Sequence, residues 1–242
     1  MISAQQTNLP YAKAESWKMF NAISPRYDFL NHLLSFGLDT KWRDQLAAFL
    51  PGKEHLDVLD IATGTADVLL SLAKNNSRVT FGTGVDMAEK MLDIGRKKIH
   101  EQKLDNRIKL QAADANLLPF GDYSFDVATI AFGIRNVEYP TRVLREMHRV
   151  LHRGGRALIL EFSLPKNPLV RFGHLFYLRV FVPIIGFLVS GHYRAYKYLN
   201  QTIESFPSGQ VFCNLMKEAG FQNVKANPLL LGVASIYQGD KP

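Results

Sequence analysis

Apolar and polar positions along the chain follow two alternating periods. From Ser16 to Leu50 the apolar residues recur at helical spacing: Trp17, Phe20 and Ile23, then Tyr27, Leu30, Leu33 and Leu34, then Trp42, Leu46 and Phe49. Pro25 and Gly37 separate these runs, which predicts three short helices after a loose arm over residues 1–15. Residues 1–50 therefore read as an N-terminal arm and helical cap, whose aromatics either pack it onto a core or close a pocket against water. Beyond residue 50, continuous apolar runs alternate with helical ones. Val58, Leu59 and the start of DIA end a buried strand, and Val68, Leu69, Leu72 and Ala73 mark a helix. Strands follow at Arg78–Asp86, Arg107–Ala112, Phe125–Phe132 and Arg156–Phe162. Between them lie the helical run MAEKMLDIGRKKIHEQK and the helix Pro140–Leu151, which turns Val143, Leu144, Met147 and Val150 inward before HRGG turns the chain into the fifth strand. Five such steps call for a parallel sheet with right-handed crossovers.

The stretch after the fifth strand breaks this rhythm. Leu169 to Val189 is rich in aromatic and branched residues but is interrupted by Arg179 and Pro183, and its longest charge-free piece, Val180–Ser190, is shorter than a bilayer requires. An insert over about residues 165–205, covering a site or lying on a membrane, is expected. A helix at Gly209–Ala219 follows, and Phe221–Ala226 with Val233–Gln238 close the sheet as an antiparallel pair. The predicted fold is α/β: a doubly wound, mostly parallel seven-stranded sheet with helices on both faces. It forms one domain, residues 51–242, under the cap.

Ligand chemistry concentrates in VLDIATGTAD, Val58 to Asp67. A strand, a small-residue turn and a helix point backbone N–H groups at a ligand beyond the strand's carboxyl end. Gly64 permits positive φ or close approach. Asp60 and Asp67 bracket the turn with acceptors, which suits an ammonium or sulfonium better than a pyrophosphate. A dinucleotide site asks for G-x-G-x-x-G; Ala62 and Ala66 stand at its first and third small positions, so a nicotinamide oxidoreductase is disfavoured. Asp86, 22 positions after Gly64, sits where such folds place a carboxylate on ribose hydroxyls, and it can also cap the next helix. Asp114, just past the third strand, can accept from an adenine amino group. Arg135 and Asn136 follow the fourth strand, where open sheets bind ligands.

Composition narrows the setting. With 47% apolar and 21% charged residues, a large core is expected and wholesale disorder is not. The single cysteine, Cys213, cannot form an intrachain disulfide or a Cys-based zinc site, so a reducing compartment and no metal are expected. The N-terminal stretch lacks the apolar core of a signal peptide, and a cytoplasmic protein is expected. The net charge of +7 fits nucleic acid or an anionic membrane face. No nucleic-acid module accompanies it, so no nucleic-acid partner is expected.

The ordered phrases DIATGTAD, VDMAEKML, DANLLPF, FGIRNV and MHRVLHRGGRALILEF resemble class I S-adenosylmethionine-dependent methyltransferases. The more specific phrases ISPRYDFLNHLLSFGLDTKWR, FGIRN, LEFSLP and HYRAYKYLNQTIESFP resemble the ubiquinone/menaquinone biosynthesis C-methyltransferases, the demethylmenaquinone methyltransferase family, across most of the chain. The resemblance implies that Thr65 and Asp86, with Met87 beside it, bind S-adenosylmethionine, together with Asp114, Ala115 and the backbone near Ala131; Asp60 and Gly64 complete the expected cofactor set. Ala66 stands where the family usually has Gly, narrowing the helix–ligand approach, and Ala131 where many members have Ser.

The implied reaction is C-methylation of a lipophilic hydroquinol with an isoprenoid tail, most directly demethylmenaquinol to menaquinol. A ring carbon attacks well only after an adjacent hydroxyl loses its proton, which calls for a base or a positive field. Arg135 supplies permanent charge; Asn136, Tyr27 and Asp28 are the other catalytic candidates, with His192 and Tyr193 from the insert. Arg135 can instead pair with a structural acid, and Asp28 can cap a helix. Leu175, Phe176, Phe181, Ile184, Ile185, Phe187 and Leu188 would make an apolar entrance flanked by Arg179 and Arg194, so peripheral membrane contact is expected, with a homodimer as the remaining partner expectation. The alternatives are a methyltransferase acting on RNA or another small molecule, and a binding protein that holds the donor without turnover.

Overall fold

Strands buried on both faces read as mostly apolar runs, and the central strands of this protein do, with Asp57, Asp60, Asp126 and Thr129 as the polar exceptions in the first and fourth. A computed structural model describes residues 12–191 and 193–242. Its sheet comprises β1 (Leu56–Ile61), β2 (Val79–Asp86), β3 (Ile108–Ala112), β4 (Phe125–Ala131), β5 (Leu151–Phe162), β6 (Gln222–Leu229) and β7 (Ala234–Asp240). The strand order is β3-β2-β1-β4-β5-β7-β6, and β7 runs antiparallel to both neighbours while the other pairings are parallel. The order reverses between β1 and β4, which opens a crevice at their carboxyl ends. The expected doubly wound, mostly parallel seven-stranded sheet is the one observed.

The helices of the sheet layers are α2 (Leu38–Gln45), α3 (Asp67–Asn75), α4 (Glu89–Glu101), α5 (Pro140–Val150) and α9 (Gln210–Glu218). One face of the sheet packs against α5 and α9 through Val143, Leu144, Met147, Phe212 and Met216. The other face packs against α2 and α3 through Trp42, Leu69 and Leu72, with Leu46 of the 3-10 turn that follows α2. A third apolar cluster joins the cap to the insert: Met19, Ile23 and Leu30 meet Leu178, Val182, Ala195 and Tyr196.

Three local expectations are corrected. Pro25 does not break the cap: α1 (Ser16–Leu34) runs straight through it. Pro25 has no N–H for the Asn21 carbonyl, and the Ser24 hydroxyl donates to that oxygen instead, at 3.1 Å. The HRGG stretch is not a turn ahead of the fifth strand but part of it: β5 opens at Leu151 rather than Arg156, and its register against β4 shifts between Phe125 and Val127. The insert is not interrupted either. Its first helix runs from α6 (Pro168–Phe176) through a π-helical turn at Tyr177–Phe181 into α7 (Val182–Ser190), and α8 (Tyr193–Ser205) packs back on it. Arg179 points out to Glu204 at 2.6 Å, and Pro183 falls in the first turn of α7, just after the wider π turn, where a missing N–H is tolerated. The 22-residue stretch Pro168–Val189 is thus long and apolar enough, by length and composition, to cross a membrane. Of the expected arm, residues 1–11 lie outside the described residues, as does His192; Lys13–Glu15 form a single 3-10 turn.

The insert is held to itself by close backbone approach. A Cβ on Gly186 of α7 would overlap the Tyr196 ring of α8. Gly186→Ala is expected to cost about 1–3 kcal/mol, seen as a fall in Tm of several degrees by circular dichroism.

Candidate active site

The carboxyl ends of β1, β2, β3 and β4 all deliver residues to one cavity of about 160 Å³. From β1 come Ala62 and Gly64, from β2 Asp86 and Met87, from the loop after β3 Asp114 and Ala115, and from β4 Ala131, Phe132 and Gly133. Asn136 and Val137 lie just beyond, and Lys13, Trp17 and Phe20 of the cap close over the top. The cap aromatics therefore do cover the turn at Gly64, one of the two roles expected of them.

Gly64 takes φ of +57° and donates its N–H to Asp86 Oδ2 at 2.9 Å. No atom lies within 4 Å of where a Cβ on Gly64 would stand. Asp86 Oδ1 accepts from the Ala88 N–H at 2.8 Å, an Asx-type turn ahead of α4 rather than the expected helix cap, since Ala88 is itself the N-cap and takes no side-chain bond; burial raises the Asp86 pKa against these backbone bonds. Asp114 Oδ1 accepts from the Asn116 backbone N–H at 2.8 Å and its side-chain amide at 2.9 Å. Both carboxylates keep lone pairs in reserve. The set thus presents two acceptors of the kind a diol and an amino group need, a glycine that leaves the backbone open to close approach, and the Lys13 side chain. These residues fit S-adenosylmethionine.

Other expected cofactor residues are placed differently. Asp60 is fully buried and does not line the cavity: Thr129 Oγ1 donates to its Oδ1 at 2.6 Å and Thr63 Oγ1 to its Oδ2 at 2.6 Å, tying β1 to β4. Burial pushes its pKa up to about 7, despite those hydrogen bonds. The Thr65 side chain is also turned away, donating to Asp28 Oδ1 at 2.7 Å and accepting from Lys98 Nζ at 3.0 Å. Ala66 adopts φ of +65° with its methyl toward Gly95 of α4, so it costs backbone strain rather than ligand space.

A second cavity, of about 380 Å³ and mostly apolar walls, lies under the insert. It is bounded by Tyr27, Leu34 and Phe36 from the cap, Phe132, Arg135 and Phe162 from the sheet ends, His174, Tyr177 and Leu178 from the insert, and Leu230 and Leu231 from the β6–β7 connection. Tyr27 and Phe132 line both cavities. Phe132 holds φ of +55°, rare for a bulky side chain, with its N–H on the Leu160 carbonyl at 2.7 Å.

Among the catalytic candidates, Asn136 lines the first cavity and its amide donates to the Phe132 carbonyl at 3.3 Å. Burial raises the Tyr27 pKa, keeping a phenolic donor at the junction. Arg135 lines the second cavity, but its Nη1 is bound to Glu161 Oε1 at 2.6 Å and to the Phe132 carbonyl at 2.6 Å. Both partners of that ion pair are buried, with Arg135 3% and Glu161 0% exposed, so the structural-acid alternative is realised. Asp28 lines neither cavity. It bonds Thr65 and Lys98, and Lys98 also reaches Asp67 at 2.5 Å, fastening α1 to α3 and α4. Tyr193 is exposed and also lines neither cavity. Glu161 and Phe132 were not singled out as site residues from the sequence. Their signal was the pairing of FGIRN after β4 with LEF at the end of β5.

The chain matches the ubiE/COQ5 methyltransferase family over residues 10–241. The chain belongs to that family. It is 44% identical to the ubiquinone/menaquinone biosynthesis C-methyltransferase UbiE of Geotalea uraniireducens over 224 residues, covering 93% of this chain and 95% of that protein. It is 42% identical to the demethylmenaquinone methyltransferase of Thermus thermophilus, covering 93% of this chain and 100% of that protein. In fold it is similar to a SAM-dependent methyltransferase of Thermotoga maritima, with a TM-score of 0.67, 19% identity, and coverage of 93% of this chain and 99% of that one. The family member described here is an enzyme that uses S-adenosylmethionine as methyl donor.

Asp60 makes a testable contribution to stability. Its carboxyl is raised from 3.8 to about 7 on folding, so the stability it adds is full below about pH 4 and is lost as pH rises through about 7. Asp60→Asn keeps the neutral form. In urea unfolding without ligand, the variant is expected to gain on the parent between pH 5 and pH 8, by no more than about 4 kcal/mol.

Proposed function

We propose that this enzyme methylates a ring carbon of a polyprenylated hydroquinol, with demethylmenaquinol as the acceptor that yields menaquinol. The observation that carries this reading is the meeting of two unlike cavities at Tyr27 and Phe132, one lined by acceptors and a lysine, the other by apolar side chains. The relatives named for menaquinone and ubiquinone biosynthesis support the same acceptor class and disfavour RNA or an unrelated small molecule.

Bound S-adenosylmethionine supplies an electrophilic methyl group on a sulfonium. Asp86 would accept from its ribose diol, Asp114 from its adenine amino group, and Lys13 would pair with the carboxylate of its methionine moiety. Main-chain groups near Ala131, Met87 and Ala115 frame the ligand, so the absent serine hydroxyl at position 131 removes no essential contact. Tyr27 and Phe132 fix the angle at which the ring meets the donor, and orientation of this kind is the main lever for an in-line transfer. The apolar wall keeps water from the reacting carbon. The ring hydroxyl must lose its proton, and the Tyr27 phenol, held protonated by burial, donates to the resulting oxyanion. Arg135 acts less as a free field than as a positioning group, because Glu161 neutralises it. His174, whose basicity burial lowers, lines the same cavity.

Such a substrate resides in a bilayer, and the insert exposes Leu169, Phe172, Phe176, Phe181, Ile184 and Leu188. A cytoplasmic enzyme that docks peripherally through this face meets its acceptor there. Flotation with anionic liposomes at low salt is expected to carry the protein upward, and a protein that stays at the bottom argues against docking.

Two substitutions separate the roles. Asp86→Ala is expected to weaken donor binding by about tenfold or more in calorimetry, and binding equal to the parent would remove its assignment. Arg135→Ala strands Glu161 without its partner and is expected to cost about 3–5 kcal/mol of stability. It also slows transfer of labelled methyl to reduced demethylmenaquinone.

A further inference from the structure

The second cavity is open at one end, and the exposed members of its wall show where. Phe36 is 78% exposed, Leu230 51% and Leu231 76%. They come from two separate connections, the α1–α2 turn and the β6–β7 loop. All three also take left-handed backbone conformations, with φ of +53°, +42° and +56°. A large apolar residue in that region carries strain, and two consecutive leucines carry it twice. Strain and exposed apolar surface each cost stability, and here both coincide on one rim. Phe36 further rests on Tyr177 of the insert, with ring centroids 5.7 Å apart.

The interior behind this rim offers no uncompensated charge to an apolar occupant. Arg135 is paired with Glu161, Asp39 with Arg43 at 2.8 Å, and burial keeps the His174 imidazole neutral. At its inner end the cavity reaches Tyr27 and Phe132, which also face the donor cavity. A long apolar chain attached to a ring at that junction therefore has one apolar course outward.

We infer that Phe36, Leu230 and Leu231 form the rim over which the isoprenoid tail of the acceptor leaves the protein, and that this rim selects tailed over tail-less rings. The inference rests on the hydroquinol reading and adds to it the residues that grip the tail. Each residue contributes apolar contact outside the reacting centre, so its loss falls on acceptor binding rather than on the chemical step.

Asparagine tolerates the left-handed conformation better than leucine or phenylalanine, so Phe36→Asn and Leu231→Asn remove apolar surface without disturbing the turns. The test compares 2-prenylated 1,4-naphthohydroquinone with its tail-less parent, 1,4-naphthohydroquinone, at one detergent concentration. Donor-binding heat and Tm verify the fold of each variant. For the double variant, the ratio of kcat/KM between tailed and tail-less acceptor is expected to fall by on the order of tenfold, carried by KM. A ratio equal to that of the parent in a folded variant overturns the inference and leaves the hydroquinol reading standing. Failure of the parent enzyme to methylate either ring while it binds the donor overturns both.

Discussion

The geometry of the site depends on the buried pairing of Arg135 with Glu161. Glu161 sits near the end of β5 and Arg135 in the 3-10 turn that follows β4, so one ion pair laces two adjacent parallel strands at the point where they release the chain. The same Arg135 nitrogen binds the Phe132 carbonyl, and a strand hydrogen bond to Leu160 holds the Phe132 N–H. Between those constraints Phe132 has little choice but a left-handed conformation, which turns its ring toward Trp42 and Phe162 at the boundary of the two cavities. Burying a salt bridge seldom adds net stability over a well-packed apolar pair. Its value here is geometric: it defines a partition with a polar chamber on one side and an apolar one on the other.

The cap and insert are fastened to this partition by different means. The cap is tied by charge, through Asp28, Lys98 and Asp67 and through Arg43, which reaches both Asp39 and Asp67. The insert is tied by apolar contact with the cap itself, through Leu178 and Val182 against Met19, Ile23 and Leu30. The sheet thus holds the cap, and the cap, together with Phe162 at the end of β5, holds the insert. The apolar chamber exists only once all three are in place.

Much of the sheet was legible because buried parallel strands announce themselves as apolar runs, and the place of Asp86 and Asp114 in the first cavity was legible because both follow strand ends, where open sheets form their crevice. What was not legible depended on partners distant in the chain. Nothing near Asp28 or Thr65 indicates that both will bond Lys98, so their side chains were assigned to chemistry they do not face. Arg135 was placed beside the reacting ring, but its neutralisation by Glu161 required knowing that β4 and β5 are neighbours. Pro25 read as a break because the rule for proline takes no account of a preceding serine that can serve the abandoned carbonyl. The insert's continuity was hidden by the same kind of local rule, relaxed here by a π turn.

That serine has a consequence for how the chambers are framed. Because Ser24 lets α1 continue past Pro25, one unbroken rod forms part of the wall of both chambers, with Trp17 and Phe20 over the first and Tyr27 and Leu34 beside the second. A broken pair of helices would give each chamber its own support; the single helix gives both a common wall, so nothing along the cap side divides the frame of one chamber from that of the other.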